Sequence, residues 1–364
     1  MRKFKVLAIS RYSDKIAYRP EAMVFIQLFK AGVDVTIMTD KGSYWQQEFE
    51  KEGIRTIDFH PKKKVSKKET AFIREELIKG AYDFLQLFNS QAIINGIEAA
   101  MHLPVKVILY RGYSANVNWW DPTAYLKYLN PRVDAIICNS IGVKQMFDRQ
   151  LFFKNDKAVV INKGHMPEWY EVAPISRASL GIPEDALVVV TVSNNRNMKG
   201  MKYWFGAVKA LEPGMNIHFV VVGKDHDTPE NLALIEASAY KDQVHLLGFR
   251  KDAHAIVAAS DIFMLASIKG ESITKSVIEA MSLNTTPLIT DIAGNIELVE
   301  NGTSGMVVPS KNADALAKAV THLYKNRGAC NTMAQKAKER VKTRLSTAHT
   351  LKETLKLYED LLKK

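Results

Sequence analysis

The sequence of 364 residues predicts an α/β fold with two domains, each built on a parallel β-sheet. Three observations lead to this prediction. Short apolar, β-branched segments alternate with helical patterns along the whole chain, as they do where crossover helices join parallel strands. The alternation runs in two series, separated by a stretch rich in turn residues. The chain length also corresponds to two domains of about 150 residues each.

The first series contains seven predicted strands with helical patterns between most of them. The strands are residues 4–9, 35–39, 54–59, 84–88, 105–110, 133–138 and 159–161. The first helix is bounded by Pro20 near a first-turn position and by Gly32 just past its end. Further helices are predicted at residues 72–79, 92–101 and 143–151.

The second series contains six predicted strands and ends in a long amphipathic helix. The strands are residues 187–192, 217–222, 244–247, 262–265, 287–290 and 305–308. The helices are residues 202–211, 232–239, 253–258, 276–283, 315–324 and 347–362. Two Rossmann-like domains are therefore expected to face each other across a cleft, with ligands at the carboxyl ends of the strands.

Residues 166–186 are the predicted linker between the two series, because breaker residues are concentrated there. These are Pro167, Pro174, Gly181 and Pro183. The predicted division of the chain is an N-terminal domain, a C-terminal domain and a C-terminal helix, at residues 1–168, 169–345 and 346–364.

The cysteine count and the hydropathy pattern exclude several classes of protein. Cys138 and Cys330 are far apart, so we expect a reducing compartment and no disulfide framework. No Cys/His cluster has the spacing of zinc ligands. The first apolar run is too short for a signal peptide, and no run reaches the roughly 18 residues of a membrane span. We therefore expect a cytoplasmic protein, either soluble or peripherally bound to the inner face of the cell membrane.

The formal net charge of +11 indicates an anionic partner of some kind. Nucleic acid, an anionic membrane surface and phosphate-bearing small substrates are the three candidates. The densest basic run consists of Lys62, Lys63, Lys64, Lys67 and Lys68. A solvated loop without a partner is an equally open interpretation of this run. Nucleic acid is disfavoured because no recognised reading motif is present.

The segment from residue 267 to residue 279 is the strongest candidate site. A predicted strand leads into a loop, and a helix follows from about Thr274, with Ser272 or Thr274 as a possible cap. The N–H groups and dipole of a helix start suit an anion such as a diphosphate. Glu271 in the loop can reach sugar hydroxyls, and Glu279, about two turns into the helix, can bind both hydroxyls of a ribose. Two ordinary exposed carboxylates remain the alternative.

A second candidate lies in the loop after the strand at residues 187–192. Arg196 and Lys199 are expected at the carboxyl end of that strand, where two cations would neutralise a diphosphate leaving group. Two exposed basic residues without a ligand are the alternative.

These segments resemble the retaining GT-B glycosyltransferases of family 4. The family's E-x7-E motif is matched by Glu271 and Glu279 with the same spacing. The resemblance continues at Asp291, Gly294, Glu297, Gly302, Gly305 and Pro309. Lys199-Gly200 matches a Lys-Gly pair of the family. The family's basic residue often stands five positions before that lysine, where this chain has Asn194, and Arg196 is the nearest substitute.

The resemblance implies the GT-B fold, with the C-terminal helix packing back on the N-terminal domain. It implies a UDP- or GDP-sugar donor on the C-terminal domain, transfer with retention, and no metal or other cofactor. Glu271, Arg196 and Lys199 would then be catalytic, and Glu279 would bind the nucleotide. Further donor contacts are expected from Ser272, Ile273, Thr274, Gly248, Phe249 and Arg250.

Other polar residues are weaker candidates. Arg111, after a strand, is either an anion ligand or part of a structural salt bridge, and His165 is a possible substrate contact or a structural histidine. Asp225 and Asp227 form a D-x-D sequence that could hold a cation, although a solvated acidic loop is the favoured interpretation. Ser10 and Arg11 stand where a dinucleotide-binding protein has its glycine-rich turn, which disfavours a nicotinamide or flavin enzyme.

The sequence therefore predicts a glycosyltransferase with a glycan or lipid-linked acceptor, acting in polysaccharide or lipopolysaccharide assembly. Two alternatives remain open at this point. One is a sugar-nucleotide epimerase on the same architecture, and the other is a non-catalytic, basic protein that binds a membrane surface through the lysine run.

Overall fold

The computed structural model describes residues 4–114, 116–151, 155–269 and 272–363. The chain forms two compact units, which we call unit 1 (Met1–Gly164 and Ser346–Lys364) and unit 2 (His165–Leu345). The first boundary between the two units, between Gly164 and His165, therefore lies ahead of the predicted linker. His165 belongs to unit 2 because its N–H donates to the carbonyl of Leu345, 2.7 Å away.

Unit 1 begins with seven strands and five α-helices. The strands are β1 (Lys5–Ile9), β2 (Asp34–Thr39), β3 (Arg55–Asp58), β4 (Phe84–Leu87), β5 (Lys106–Arg111), β6 (Ala135–Cys138) and β7 (Ala158–Val160). The helices are α1 (Arg19–Lys30), α2 (Tyr44–Lys51), α3 (Lys67–Gly80), α4 (Ser90–Ala99) and α5 (Ile141–Asp148). The strands form one parallel sheet in the order β3-β2-β1-β4-β5-β6-β7. Since the strands are parallel, their carboxyl ends collect on one edge.

Unit 2 repeats this plan with six strands and six α-helices. The strands are β8 (Leu187–Val192), β9 (Ile217–Val222), β10 (Val244–Gly248), β11 (Ile262–Leu265), β12 (Thr286–Thr290) and β13 (Met306–Val308). The helices are α6 (Met201–Ala210), α7 (Pro229–Glu236), α8 (Ala253–Ala258), α9 (Lys275–Ser282), α10 (Ala313–Lys325) and α11 (Arg327–Thr343). The parallel sheet has the order β10-β9-β8-β11-β12-β13. The central strands β8 and β11 are buried on both faces, which explains their continuous apolar sequences.

The last helix, α12 (Thr347–Lys363), packs on unit 1, as predicted. Its Tyr358 is fully buried and stacks on Phe84 of β4, with ring centroids 4.2 Å apart. The Tyr358 hydroxyl donates to Oε1 of Gln86, 2.8 Å away. The helix therefore completes one face of a sheet formed by the other end of the chain.

Two helices were not predicted, for different reasons. Helix α2 has only eight residues, too few for a clear apolar period, although Ser43 caps it. Helix α11 buries small or flexible side chains, among them Cys330, Ala334 and Ala337, so that its sequence lacks a strong apolar stripe. In the described part of the chain, no helix combines the length and the hydropathy that a bilayer span requires.

Candidate functional site

Four loops meet at the carboxyl edge of the unit 2 sheet, after β8, β9, β10 and β11. Short hydrogen bonds join the first three. The N–H of Ser193 donates to Val222, the N–H of Asn195 donates to Lys224, and the N–H of Gly223 donates to Gly248, over 2.8–3.0 Å. The loop after β8 is also joined to the loop after β11, because the N–H of Ile268 donates to Met198 over 2.8 Å. The sheet therefore brings together the two strongest candidate segments of the sequence.

Gly200 makes the close approach of these loops possible. It has a φ of +64°, in the left-handed region that favours glycine. A Cβ atom at this position would lie 2.1 Å from the carbonyl oxygen of Ala266, directly after β11. The Lys-Gly pair therefore has a structural basis: glycine lets the loop that carries Lys199 lie against the loop that leads into α9.

The residue at the N-cap position of α9 does not cap the helix with its own side chain. Thr274 occupies the N-cap position, but its side chain accepts no hydrogen bond from the helix. Its hydroxyl instead lies 2.6 Å from Oδ1 of Asn295, a fully buried residue. Of the two predicted caps, Ser272 and Thr274, the structure therefore gives Thr274 a different role, since its hydroxyl fixes the loop. First-turn N–H groups that Thr274 does not cap can bind an anionic ligand.

Glu279 is largely buried and lies between two positively polarised groups. Its Oε1 is 3.2 Å from Nζ of Lys275 and 3.5 Å from Nε2 of His254, and the side chain is 15% exposed. Burial would raise the pKa of Glu279, but the hydrogen bond from His254 and the charge of Lys275 outweigh burial and lower it. The carboxylate is therefore ionised and oriented to accept hydrogen bonds, as ribose hydroxyls would donate.

The other candidate residues of the segment from residue 267 to residue 279 differ in their exposure. Ser272 is buried, and Ile273 packs its side chain against the core of unit 2. Glu271 lies outside the described residues, and its catalytic role stays a prediction.

Arg196 and Lys199 lie on the same loop after β8, in different surroundings. Arg196 is exposed and forms no ion pair with any residue that the structure describes. Lys199 is half-buried in a 3-10 turn immediately before Gly200. Two cations next to an uncapped helix N-terminus can neutralise a diphosphate.

The loop after β10 is only partly as expected. Phe249 is 64% exposed, and Gly248 adopts a left-handed conformation with a φ of +64°. The guanidinium of Arg250, however, forms two hydrogen bonds with Asp252, of 2.8 and 2.7 Å. This hydrogen bonding raises the pKa of Arg250 and lowers the pKa of Asp252. The guanidinium of Arg250 is thus paired with a neighbouring carboxylate, and its contact with the nucleotide stays a prediction.

The D-x-D sequence forms a turn after β9. Asp225 has a φ of +64°, and Nε2 of His226 lies 2.6 Å from the carbonyl oxygen of Ser193. In the described ranges, no group of three or more His, Cys, Asp or Glu side chains is arranged to hold a metal ion. The turn therefore helps to connect the loops after β8 and β9.

Arg111 and His165 are both held by aromatic neighbours. The Nε of Arg111 donates to the carbonyl of Tyr113 over 2.8 Å, and its guanidinium lies 5.0 Å from the ring centroid of Tyr128. His165 is buried, and its Nδ1 lies 2.6 Å from the hydroxyl oxygen of Tyr170. For His165 these contacts favour the structural role over substrate contact.

The carboxyl edge of the unit 1 sheet contains polar groups that sequence reasoning missed. Lys163, after β7, forms a 3.0 Å ion pair with the buried Glu21 and lies 4.4 Å from the ring centroid of Tyr110. Burial would lower the pKa of Lys163, but the Tyr110 hydroxyl and the Glu21 carboxylate raise it. Lys163 lies two residues before the candidate His165 and is the charged side chain of this segment at the carboxyl edge.

His60 is a second polar group at this edge, after β3. Its Nε2 lies 2.8 Å from the amide nitrogen of Asn89. The amide oxygen of Asn89 accepts from the N–H of Ala92, so the amide nitrogen is the donor to His60. Burial lowers the pKa of His60, and the ring is therefore neutral with its proton on Nδ1.

The comparisons with known proteins agree with this geometry. Residues 172–340 match the family model described as glycosyl transferases group 1. This range contains all four loops at the carboxyl edge of the unit 2 sheet. Over this range unit 2 is similar to the group 1 glycosyl transferases.

A curated relative is the lipopolysaccharide core biosynthesis glycosyltransferase LpsE of Rhizobium meliloti. The two are 24% identical over 230 residues, which cover 63% of this chain and 65% of LpsE. The chain spans between 40% and 65% of the length of three of the curated relatives that it matches.

Two solved structures resemble the whole chain. A glycosyltransferase of Rickettsia africae has a TM-score of 0.79 and 19% identity, with 100% of both chains covered. HepE of Anabaena, solved in complex with UDP, has a TM-score of 0.76 and 18% identity over 99% of this chain and 100% of HepE. These structures confirm the predicted α/β fold of the GT-B type.

Proposed function

We propose that this chain is a retaining glycosyltransferase of family 4 that transfers a sugar from a UDP- or GDP-sugar. The observation that carries the proposal is the junction of the loops after β8 and β11 in unit 2. There the close approach at Gly200 and the hydrogen bond from Ile268 to Met198 hold the segment that leads into α9 against the loop that carries Lys199. The side chain of the N-cap residue Thr274 does not cap this helix. The relationship of unit 2 to group 1 glycosyl transferases supports this assignment.

The donor diphosphate would bind where positive charge and open N–H groups coincide. Lys199, Arg196 and the start of α9 would stabilise the charge that develops as the bond between the sugar and the diphosphate breaks. No metal ion is needed in this arrangement, since cations of the chain supply the neutralisation. Glu279 would accept hydrogen bonds from both ribose hydroxyls, and the base would lie along Gly248 and Phe249.

The donor sugar would be oriented by Glu271, as the family resemblance implies. The acceptor hydroxyl would attack the anomeric carbon on the face from which the diphosphate departs, so that the configuration is retained. The departing phosphate oxygen would take the proton of that hydroxyl. UDP in the HepE structure, and UDP-glucose in another HepE structure, support a nucleotide-sugar donor.

The acceptor would be a glycan or a lipid-linked glycan bound by unit 1, in polysaccharide or lipopolysaccharide assembly. The role of LpsE in lipopolysaccharide core biosynthesis supports this class of acceptor. We propose a cytoplasmic location, and contact with an anionic membrane surface through Lys62, Lys63, Lys64, Lys67 and Lys68. None of these five exposed lysines forms an ion pair with a described residue.

The donor assignment is tested by Lys199→Ala with Lys202→Ala as the matched control. Lys202, three residues away, is 70% exposed and lies 3.9 Å from Glu230. With UDP- and GDP-sugars as donors, we expect Lys199→Ala to lower the turnover number by about 100-fold and Lys202→Ala by less than about twofold. Thermal unfolding shows whether either variant is misfolded, and nucleotide-induced shifts in the unfolding temperature identify the base.

Glu271→Ala and Glu279→Gln separate the roles of the two glutamates. We expect Glu271→Ala to reduce turnover, and Glu279→Gln to weaken nucleotide binding by about tenfold. If Lys199→Ala and Glu271→Ala both retain full turnover, the proposed site is wrong. Product formation without any acceptor would instead point to an epimerase.

A further inference from the structure

In its described residues, 112–114 and 116–134, the crossover between β5 and β6 in unit 1 contains no α-helix, although it covers the sheet as a helix would. These residues pack their inner side chains into the core of this sheet face. These inner residues are Val117, Ala124, Tyr128, Leu129 and Val133. The crossover is therefore a fixed layer of unit 1.

The outer side of this crossover exposes large apolar side chains. Exposed fractions are 51% for Trp119 and 67% for Trp120, whereas Trp45 and Trp204 are at most 5% exposed. The neighbouring exposed residues are Tyr113, Tyr125 and Leu126. We call Tyr113, Trp119, Trp120, Tyr125 and Leu126 the aromatic patch. A concentration of exposed aromatic side chains marks an interaction surface on a soluble domain.

Hydrogen bonds hold the aromatic patch in place. The Tyr125 hydroxyl donates to the carbonyl of Trp119, and the N–H of Trp119 donates to Oε1 of Gln150, both over 2.8 Å. The amide of Asn130 donates to the carbonyl of Tyr125 over 2.9 Å. The aromatic side chains are thus presented by an ordered backbone and lose little conformational entropy on binding.

Residues 62–78, which we call the basic segment, contain the five lysines and most of α3 and lie on the same face of the sheet. Ile73 and Leu77 of α3 pack in the same core as Val117 and Ala124 of the crossover. They are therefore not available to a lipid surface. Outside this core the segment exposes the five lysines and three apolar side chains: Val65 at 70%, Phe72 at 43% and Ile78 at 61%.

The excess positive charge belongs almost entirely to unit 1. Unit 1 contains 30 Lys and Arg residues and 20 Asp and Glu residues, a formal net charge of +10. Unit 2 contains 20 and 19, a formal net charge of +1. An anionic partner is therefore expected to bind unit 1.

We propose that this face of unit 1 docks on an anionic lipid bilayer, with the aromatic patch inserted at the headgroup level. Trp and Tyr favour that level because their rings are apolar and their N–H and O–H groups remain hydrated. The lysines of the basic segment would contact anionic headgroups, which attract nearby lysines. The aromatic patch and the basic segment together orient the protein on the bilayer, because they contact it at two places. The lysine run alone would not fix this orientation.

A bilayer explains this surface better than a second copy of the chain. A symmetric dimer through this face would bring two basic segments together, and like charges would oppose it. The proposal extends the membrane contact of the basic segment and is independent of glycosyl transfer. Its tests therefore need no donor or acceptor.

The binding test uses vesicles of phosphatidylcholine with about one third phosphatidylglycerol, and vesicles of phosphatidylcholine alone. We expect co-sedimentation of the full chain with the anionic vesicles only, weakening as salt is raised. Trp119→Ser with Trp120→Ser should weaken this partitioning at least about tenfold, since two half-exposed indoles lose their insertion. Tyr44→Ser is the matched control, because Tyr44 is 38% exposed on α2, which packs on the opposite sheet face.

Tryptophan fluorescence gives a second measurement on a folded protein that still binds. Brominated lipids should quench the emission of the native chain. Trp119→Phe with Trp120→Phe should keep most of the binding and lose this quenching.

Equal partitioning of native chain and Trp119→Ser/Trp120→Ser would overturn the proposal, as would equal binding to both vesicle types. The proposal would also be overturned if the native chain did not bind vesicles but self-associated, and if the same double substitution abolished that self-association. This result would identify the aromatic patch as a contact between copies of the chain.

Substitution of all five lysines by Gln separates the two contacts. We expect this variant to lose its preference for anionic vesicles while unfolding at the same temperature as the native chain. If it binds anionic vesicles as the native chain does, the basic segment is merely solvated and the proposed docking face is wrong.

Discussion

At the scale of single residues, Gly200 connects backbone conformation to the candidate chemistry. Glycine is required at this position for two reasons: the backbone has a positive φ, and the Ala266 carbonyl lies where a Cβ atom would be. Thr274 has a comparable effect on the other side of the junction, because its hydroxyl contacts Asn295 and does not cap α9. Gly200 leaves space for the close approach of the two loops, and Thr274 leaves first-turn N–H groups of α9 without a cap from its own side chain.

Gly200→Ala should be strongly destabilising. The new side chain must adopt a left-handed conformation and displace the Ala266 carbonyl, which together should lower the free energy of unfolding by about 2–4 kcal/mol. Gly181→Ala is the control, because Gly181 has a φ of +69° and a Cβ atom there would meet no other atom within 4 Å. The control should cost only about 1 kcal/mol in chemical denaturation. Equal costs for the two variants would show that the close approach is unimportant.

The residue scale also shows where sequence patterns were insufficient. The pattern located Lys199-Gly200 and Glu279, since the type and spacing of these residues are visible in one dimension. It could not show that Asp252 engages Arg250 or that Tyr170 holds His165. Side-chain partners of this kind depend on the conformation of a loop or on packing, and neither is encoded in a residue's type.

At the scale of elements, Asn95 of α4 determines the conformation of the basic segment. This residue is 1% exposed, and its amide nitrogen donates to the carbonyls of Lys63 and Lys64. Its amide oxygen accepts from the N–H of Ser66, which in turn caps α3. A single buried amide therefore fixes a surface segment with five lysines, in spite of their mutual repulsion.

Asn95→Ala should release the basic segment. Removal of these hydrogen bonds leaves buried backbone groups without partners and should lower the free energy of unfolding by about 2–3 kcal/mol. Limited trypsin digestion should then cleave first at residues 62–68. Asn231→Ala is the control: Asn231 is also buried, but its amide donates to His226 in unit 2. That variant should be destabilised while residues 62–68 stay protected. Unchanged cleavage in Asn95→Ala would contradict this role.

At the scale of the whole molecule, the C-terminal helix returns to the unit formed by the start of the chain. Phe84 and Gln86 of β4 contact Tyr358 about 270 positions later in the sequence. Burial raises the pKa of Tyr358 above its ordinary value, which keeps the hydroxyl protonated as a donor to Gln86. Unit 1 therefore completes its core only after residues 347–363 have been synthesised.

Tyr358→Ala should destabilise unit 1 selectively. Loss of a fully buried aromatic side chain costs about 3–5 kcal/mol. Hydrogen exchange should rise in peptides from β1, β4 and α1, while peptides from β8 and β11 remain protected. Phe249→Ala, at a 64% exposed position, should change the stability by less than about 0.5 kcal/mol. Equal loss of protection in both units would show that they unfold as one.

The order of residues was sufficient to predict the two-series α/β plan, nearly every strand and the segments that form the candidate site. Apolar periodicity and turn chemistry act over a few residues, and they are therefore readable along the chain. Only three-dimensional packing determines which loops meet, which helix start stays uncapped and which apolar side chains remain outside. Ile73 is buried while Phe72 beside it is exposed, and Trp204 is buried while Trp120 is not. Such differences depend on what packs against each side chain, and residues distant in sequence supply those contacts.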